Sequence, residues 1–183
     1  MKQIIYIIVL QLFILSCKSP EARVPKQNST KTGSFFIESA KRNKKLNEAE
    51  RKTIEEVIAN NNEVYQTSRF GFWYRYNNKV EGDSITPKYG DVIEFNYNVS
   101  NIKGQSIYTK TDIGLQTYAM DQEELFSGLR EGLKLMKASE KVTFIFPSHK
   151  AFGYYGDGKK IERNMPLICE VTLININKKQ NNE

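Results

Sequence analysis

At 183 residues with 39% hydrophobic side chains, among them 10 Phe, 10 Tyr and one Trp, the chain suffices for one folded domain with length to spare, which excludes wholesale disorder. One His and two Cys exclude most structural zinc sites, which take three or four Cys or His ligands at short spacing, so neither a metal nor a cofactor is expected. The net charge of +6 arises from 27 basic and 21 acidic side chains scattered along the chain, and without a basic, aromatic-interleaved stripe nucleic acid is not an expected partner.

Met1-Lys2-Gln3 is a short basic opening, and residues 4–15 form an apolar run broken only by Gln11. That length suits the core of a signal peptide and falls short of the roughly 20 residues a membrane-spanning helix needs. Ile14-Leu15-Ser16-Cys17 at its end resembles a bacterial lipobox. The resemblance implies that residues 1–16 are removed, that the Cys17 thiol takes a diacylglyceryl group and that the freed amine is acylated. Several chains anchor stably where one is marginal. An ordinary signal peptide with an incidental Cys is the plain alternative. With Cys17 lipidated, Cys169 is the only free thiol and no internal disulfide can form. Lys18 in place of Asp after the Cys favours, by analogy with a common sorting rule, the outer membrane. The expected location is therefore the cell envelope, lipid-anchored and facing the periplasm. Residues 17–34 hold the Cys followed by two Pro and many polar side chains without apolar periodicity, and read as a flexible tether.

Asn47 with Glu50 three residues on has the pattern of a capping box, and Ile54, Val57 and Ile58 recur at helical spacing. This predicts a helix over 47–60. Phe36, Ile37 and Ala40 share one side and predict a shorter helix over 35–42, so residues 35–63 read as a small helical extension. From Val64 the period becomes two: Phe70, Phe72, Tyr74 and Tyr76 alternate with Arg69, Gly71, Trp73 and Arg75. Residues 91–99 alternate again, with Ile93, Phe95, Tyr97 and Val99 on one apolar face. Lys103-Gly104 turns the chain so that residues 106–110 pair back antiparallel. Leu125, Phe126, Leu129, Leu133 and Met136 form the stripe of a helix over 122–136. Gly128 and Gly132 each cost that helix about 1 kcal/mol relative to Ala, so their one-turn spacing marks a ridge that another element approaches closely. Residues 141–146 and 167–176 are further strands. The fold class is α+β, an antiparallel sheet around one short helix with a small N-terminal helical extension.

Four segments in this order resemble the FKBP-type peptidyl-prolyl cis/trans isomerases. Pro87-Lys88-Tyr89-Gly90-Asp91 resembles their P-x-x-G-D turn, and the strand after it ends in a pocket Tyr. Leu125-Phe126-Ser127-Gly128-Leu129-Arg130-Glu131-Gly132-Leu133 resembles their pocket helix, Ala151-Phe152-Gly153 their A-Y/F-G loop, and Leu167-Ile168-Cys169-Glu170-Val171-Thr172-Leu173 their closing strand. The resemblance covers residues 64–178, leaving 179–183 as a disordered tail. It implies catalytic contacts from Tyr97, Phe126 and Phe152, with the Phe126 N–H donating to a peptide carbonyl. It also implies a substrate pocket completed by Ile107, Tyr108, Leu125, Leu129, Ile161 and Cys169. Three positions depart from the pattern: Leu129 replaces a Trp floor, Cys169 a Phe and Tyr108 an Asp. The larger cavity and the lost carboxylate imply weaker macrolide binding and lower turnover. Leu125, Leu129, Leu133 and Cys169 are also positions that the core of any helix-on-sheet fold takes.

Other signals carry less. His149 lies in a polar loop and Cys169 in mid-strand, so a nucleophile pair is not expected. Asp121, Glu123 and Glu124 fall in the first turn of the expected pocket helix, where acidic residues suit its dipole. Lipobox, tether, extension and divergent isomerase domain together resemble the gliding-motility-associated peptidyl-prolyl isomerase lipoproteins. The implied function is a lipid-anchored envelope isomerase that acts on proline-containing segments of exported, gliding-motility or secretion proteins. A non-catalytic chaperone or binding module of the same fold is the alternative.

Overall fold

The computed structural model describes residues 29–82 and 85–179. The signal peptide, Cys17, the tether up to residue 28 and the tail from residue 180 lie outside them. The chain divides into two units, Met1–Ser39 and Ala40–Glu183, and the second carries the sheet and the site.

Helix α1, Ser29–Ala59, is continuous. It replaces the two expected helices and takes up the end of the expected tether. Residues 41–46, KRNKKL, are mostly good helix formers, and no Pro or Gly interrupts the chain between Ser34 and Ala59. Ion pairs one turn apart, Arg51–Glu55 at 2.8 Å and Lys44–Glu48 at 3.9 Å, line its exposed side. Asn47 therefore sits inside a helix, not at its start. The Glu50 carboxylate reaches Ser148 instead, accepting from its N–H and its hydroxyl at 2.6 Å each.

Eight strands form one antiparallel sheet: β1 Gln66–Thr67, β2 Trp73–Asn78, β3 Val92–Tyr97, β4 Val99–Asn101, β5 Ser106–Tyr108, β6 Gln116–Ala119, β7 Lys141–Phe146 and β8 Leu167–Asn177. The order is β1-β2-β7-β8-β3-β6, with β4 pairing to both β8 and β5. The long β8 holds the sheet together because it pairs with β7 along one edge and with β3 and then β4 along the other. At the break between β3 and β4, Asn98 donates its N–H to the Glu170 carbonyl at 3.2 Å and accepts the Glu170 N–H on its side chain at 3.0 Å. A single-turn helix α2, Lys110–Ile113, is closed by a capping box between Thr109 and Asp112.

Alternation along the strands sends Phe72, Ile93, Phe95, Val99, Phe144, Phe146, Val171 and Leu173 into one core, where they meet Leu129 and Leu133 of helix α3, Ser127–Leu133. Phe144 and Phe146 stack at 5.4 Å, and the Phe72 ring meets their edges at 5.8 and 5.3 Å. The glycine ridge faces these rings: a Cβ on Gly128 would lie 2.6 Å from the Phe146 ring and 2.9 Å from the Lys150 carbonyl, and one on Gly132 would lie 3.0 Å from Phe144. On the opposite face of the sheet, Ile54 of α1 packs with Trp73 and Ile145 in a smaller cluster.

Helix α3 is shorter than the expected 122–136. Asp121 takes a positive φ of 59° and Phe126 is an extended N-cap residue, so the chain enters the helix only at Ser127. Residues 121, 123 and 124 accordingly do not form its first turn. Asp121 pairs with Lys134 at 3.0 Å, while the Glu123 carboxylate accepts the Ala119 N–H at 3.2 Å. The turn at Pro87 to Asp91 has a buried carboxylate at its centre: Asp91 accepts from the N–H groups of Lys88 and Lys179 and pairs with the Lys178 ammonium at 2.8 Å.

Candidate active site

The C-terminal end of β3, the N-terminus of α3 and the loop after β7 converge on two adjoining hollows of about 260 and 630 Å³. The smaller is walled by Tyr97, Val99, Tyr108, Ile113, Phe152 and Ile161, with Asp112, Asp157 and Lys159 at its polar side. The larger is walled by Tyr97, Leu125, Phe126 and Phe152 below Glu123, Glu124 and Arg130. Tyr97 and Phe152 belong to both and form the rim between them. Hollows of about 570 and 890 Å³ also flank α1, but polar helix side chains such as Asn43, Asn47 and Arg42 line them together with His149, and they hold none of these rings; the aromatic side chains on them are Trp73 and Tyr154.

Each wall is held from behind. Tyr97 stacks on the buried Phe95 at 5.7 Å, and Phe126 meets Phe146 edge-on at 5.5 Å and Phe152 at 5.3 Å. Burial, with the neighbouring Cys169, pushes the Tyr97 hydroxyl up to about 12. Tyr97 is thus a neutral donor at every physiological pH. Neither its hydroxyl nor the Phe126 N–H has a hydrogen-bond partner among the described residues, so both are free for a ligand.

The Tyr108 hydroxyl donates to the Asp157 carboxylate at 2.6 Å, and Asp157 also accepts the N–H groups of Lys159 and Ile161 at 2.8 Å each. These bonds outweigh the upward push of burial and hold Asp157 below the usual carboxylate range. The Lys160 ammonium lies 5.0 Å from the centre of the Tyr108 ring. Asp157 thus places a loop carboxylate at the polar side of the smaller hollow, bonded to the residue at position 108.

Of the expected pocket residues, the structure brings Tyr97, Tyr108, Leu125, Phe126, Phe152 and Ile161 onto the walls. Leu129 and Cys169 are fully buried in the core, a correction to their expected place on the wall. Leu129 lies on the core side of α3 and Cys169 is paired opposite Phe144 in the sheet, so their small side chains do not enlarge either hollow. Ile107 packs half-buried against the same core and lines neither hollow. Val99, Ile113, Asp112, Asp157 and Lys159 around the smaller hollow and Glu123, Glu124 and Arg130 around the larger are the residues that sequence reasoning did not assign to the site. Only Val99 carried a signal, as the continuation of the apolar face of β3. Burial raises the Cys169 thiol far above its ordinary value, and His149 lines the hollows beside α1, so neither side chain is an activated nucleophile of this site.

An antiparallel sheet packed on one short helix, with an aromatic-rimmed hollow at the helix N-terminus and two donors facing it, makes a concave site for a ligand that pairs an apolar part with hydrogen-bond acceptors. The family model "FKBP-type peptidyl-prolyl cis-trans isomerase" matches residues 83–174. The chain belongs to this family. Among relatives, it is 26% identical over 114 residues to a probable FKBP-type peptidyl-prolyl cis-trans isomerase of Haemophilus influenzae, covering 62% of this chain and 46% of that protein. It is 28% identical over 144 residues to FkpA of Aeromonas hydrophila, covering 78% and 52%. The chain thus matches about half the length of these relatives. Among solved structures, FkpA from Escherichia coli aligns over 97% of this chain and 82% of its own, at 23% identity and a TM-score of 0.59. A peptidyl-prolyl isomerase from Pseudomonas syringae aligns over 74% and 96%, at 21% identity and the same TM-score. Among the described residues no helix is long and apolar enough to cross a membrane.

Proposed function

We propose that this chain is a peptidyl-prolyl cis/trans isomerase whose reaction takes place across the rim formed by Tyr97 and Phe152. An X-Pro bond rotates over a barrier of roughly 18–20 kcal/mol because amide resonance must be broken. A catalyst need only bind the twisted amide better than either planar isomer. Walls of Tyr97, Leu125, Phe126 and Phe152 exclude water from an amide whose dipole shrinks as resonance is lost, which favours the twisted form. The unengaged Phe126 N–H and Tyr97 hydroxyl are donors for carbonyls flanking the proline. A gain of about 10⁴-fold in rate corresponds to roughly 5.5 kcal/mol, a sum within reach of apolar enclosure and two hydrogen bonds.

The observation that carries this reading is the pairing of an apolar aromatic rim with two unsatisfied donors. The test is a proline-limited refolding assay with the full chain. Acceleration over buffer supports catalysis; a rate equal to buffer with the domain folded and a proline peptide bound favours the binding module instead.

We further propose that the protein works in the cell envelope, tethered by lipidated Cys17, on proline-containing segments of exported proteins. The lipobox-like Ile14-Leu15-Ser16-Cys17 after an apolar run supports the anchor, and the resemblance to gliding-motility lipoproteins supports clients in the motility or secretion machinery. Cys17→Ser should abolish incorporation of labelled fatty acid in cells; continued labelling would contradict the anchor.

A further inference from the structure

The loop that carries Phe152 is held from outside the two hollows it lines, at the side that faces α1. Glu50 projects from α1 onto the short 3₁₀ turn Ser148–Lys150 that follows β7. Its two carboxylate oxygens take both donors of Ser148, the N–H and the hydroxyl, at 2.6 Å each. Ser148 is only 3% exposed with Glu50 in place, because the carboxylate covers it at the floor of the hollow of about 890 Å³ beside α1. With its donors fixed, the Ser148 carbonyl accepts the N–H groups of Ala151 at 3.0 Å and Gly153 at 2.8 Å, the residues on either side of Phe152. The Gly153 carbonyl in turn accepts the Asn164 N–H at 2.8 Å, and the Ser127 hydroxyl donates to the Lys150 carbonyl at 3.3 Å. One buried serine therefore joins α1 to the backbone that aims Phe152, and Glu50 is the group that fixes that serine. Hydrogen bonds to a carboxylate are the stronger kind, and breaking these leaves the Ser148 donors to water, which fixes neither their direction nor the turn that carries them.

We infer that Glu50 is a positioning residue for the prolyl hollow, holding Phe152 on the rim through Ser148. The inference rests on the isomerase reading above. Substrate binds only molecules in which Phe152 closes the rim, so loosening the loop lowers the competent fraction, raises KM by the inverse of that fraction and leaves the bound complex to react as before. A contact that served only to hold α1 on the sheet would lower Tm and leave KM alone wherever the protein is folded.

The experiment uses the full chain with Glu50→Ala, Glu50→Gln and, as control on the same helix, Glu56→Ala. Turnover of a chromogenic prolyl peptide and amide hydrogen exchange at Ala151 and Gly153 are read well below each Tm. Glu50→Ala should raise KM about three- to tenfold, keep kcat within about twofold and speed exchange at both amides about tenfold. Glu50→Gln, which keeps an acceptor for the Ser148 N–H, should recover most of the loss, and Glu56→Ala should match the parent. Unchanged KM and exchange in a folded Glu50→Ala protein, or a fall in Tm alone, overturns the inference. If Glu50→Ala does not fold, Ser148→Ala removes only the hydroxyl bond; a smaller change in the same direction supports the link and no change overturns it. If the parent protein has no turnover, the isomerase reading fails by itself, and exchange at Ala151 and Gly153 still decides whether Glu50 orders the loop.

Discussion

Phe144 and Ile145 are neighbours in β7 yet belong to different parts of the molecule. Phe144 points into the core shared with α3, where stacked rings and the glycine ridge of the helix leave no free space. Ile145 points to the other face, where among the described residues Ile54 and Trp73 make up a small buried cluster with it. The first face defines the fold through buried area. The second holds α1 through one small cluster and the two short bonds from Glu50 to Ser148. One face thus stabilises through a broad stack of buried rings, while the other joins a helix to the neighbouring loop through a few contacts.

Cavity mutants probe that contrast most strongly. Phe144→Ala should cost about 3–5 kcal/mol in urea unfolding, and Ile54→Ala about 2 kcal/mol, near the low end for a buried aliphatic residue because its cluster is small. Equal losses would mean that the two faces form one core. Next, Gly128→Ala should cost about 1–3 kcal/mol by overpacking, since its new methyl meets both a ring and a backbone carbonyl. Gly132→Ala should cost less, because only the Phe144 ring must give way.

Acid provides a weaker probe. Burial pushes the Asp91 carboxyl up, but the bonds from Lys178, Lys88 and Lys179 outweigh it and its pKa lies below the ordinary value. The folded state thus binds the proton less readily than the unfolded chain. The resulting stability is complete above about pH 4 and is lost as pH falls through the depressed folded value. The urea midpoint should fall over that acid range in the parent and fall less in Asp91→Asn; parallel profiles would contradict the assignment. The smallest effect belongs to Tyr108→Phe, which breaks one partly exposed bond to Asp157. The urea midpoint should hardly move, while the Asp157 carboxyl, followed by NMR, should titrate at a higher pH than in the parent.

Much of this architecture was legible where residues repeat at a fixed period. The alternation in residues 91–99 marked the buried face of β3, and Gly128 with Gly132 announced the close approach that Phe146 and Phe144 make. Local pattern misled where the true partner is distant in sequence. Glu50 has capping-box spacing from Asn47, but its carboxylate bonds Ser148 across the fold. Asp157 had no periodic signal because it lies in an irregular loop and meets Tyr108 only through tertiary folding. Leu129 and Cys169 match the pocket positions of the family by motif alone; with side chains smaller than those they replace, they stay in the core. Tyr97 and Phe126 were legible as the ends of elements and Phe152 as part of a loop motif, and the structure places all three on the walls of the hollows.

The most direct test of the account is the turnover of a prolyl peptide by Phe152→Ala. Its side chain is only partly buried in a loop, so the fold should survive its loss. Its kcat/KM should fall at least about tenfold, equivalent to roughly 1.4 kcal/mol, with the Tm close to that of the parent. A folded Phe152→Ala protein with the parental kcat/KM would place the reaction somewhere other than this rim.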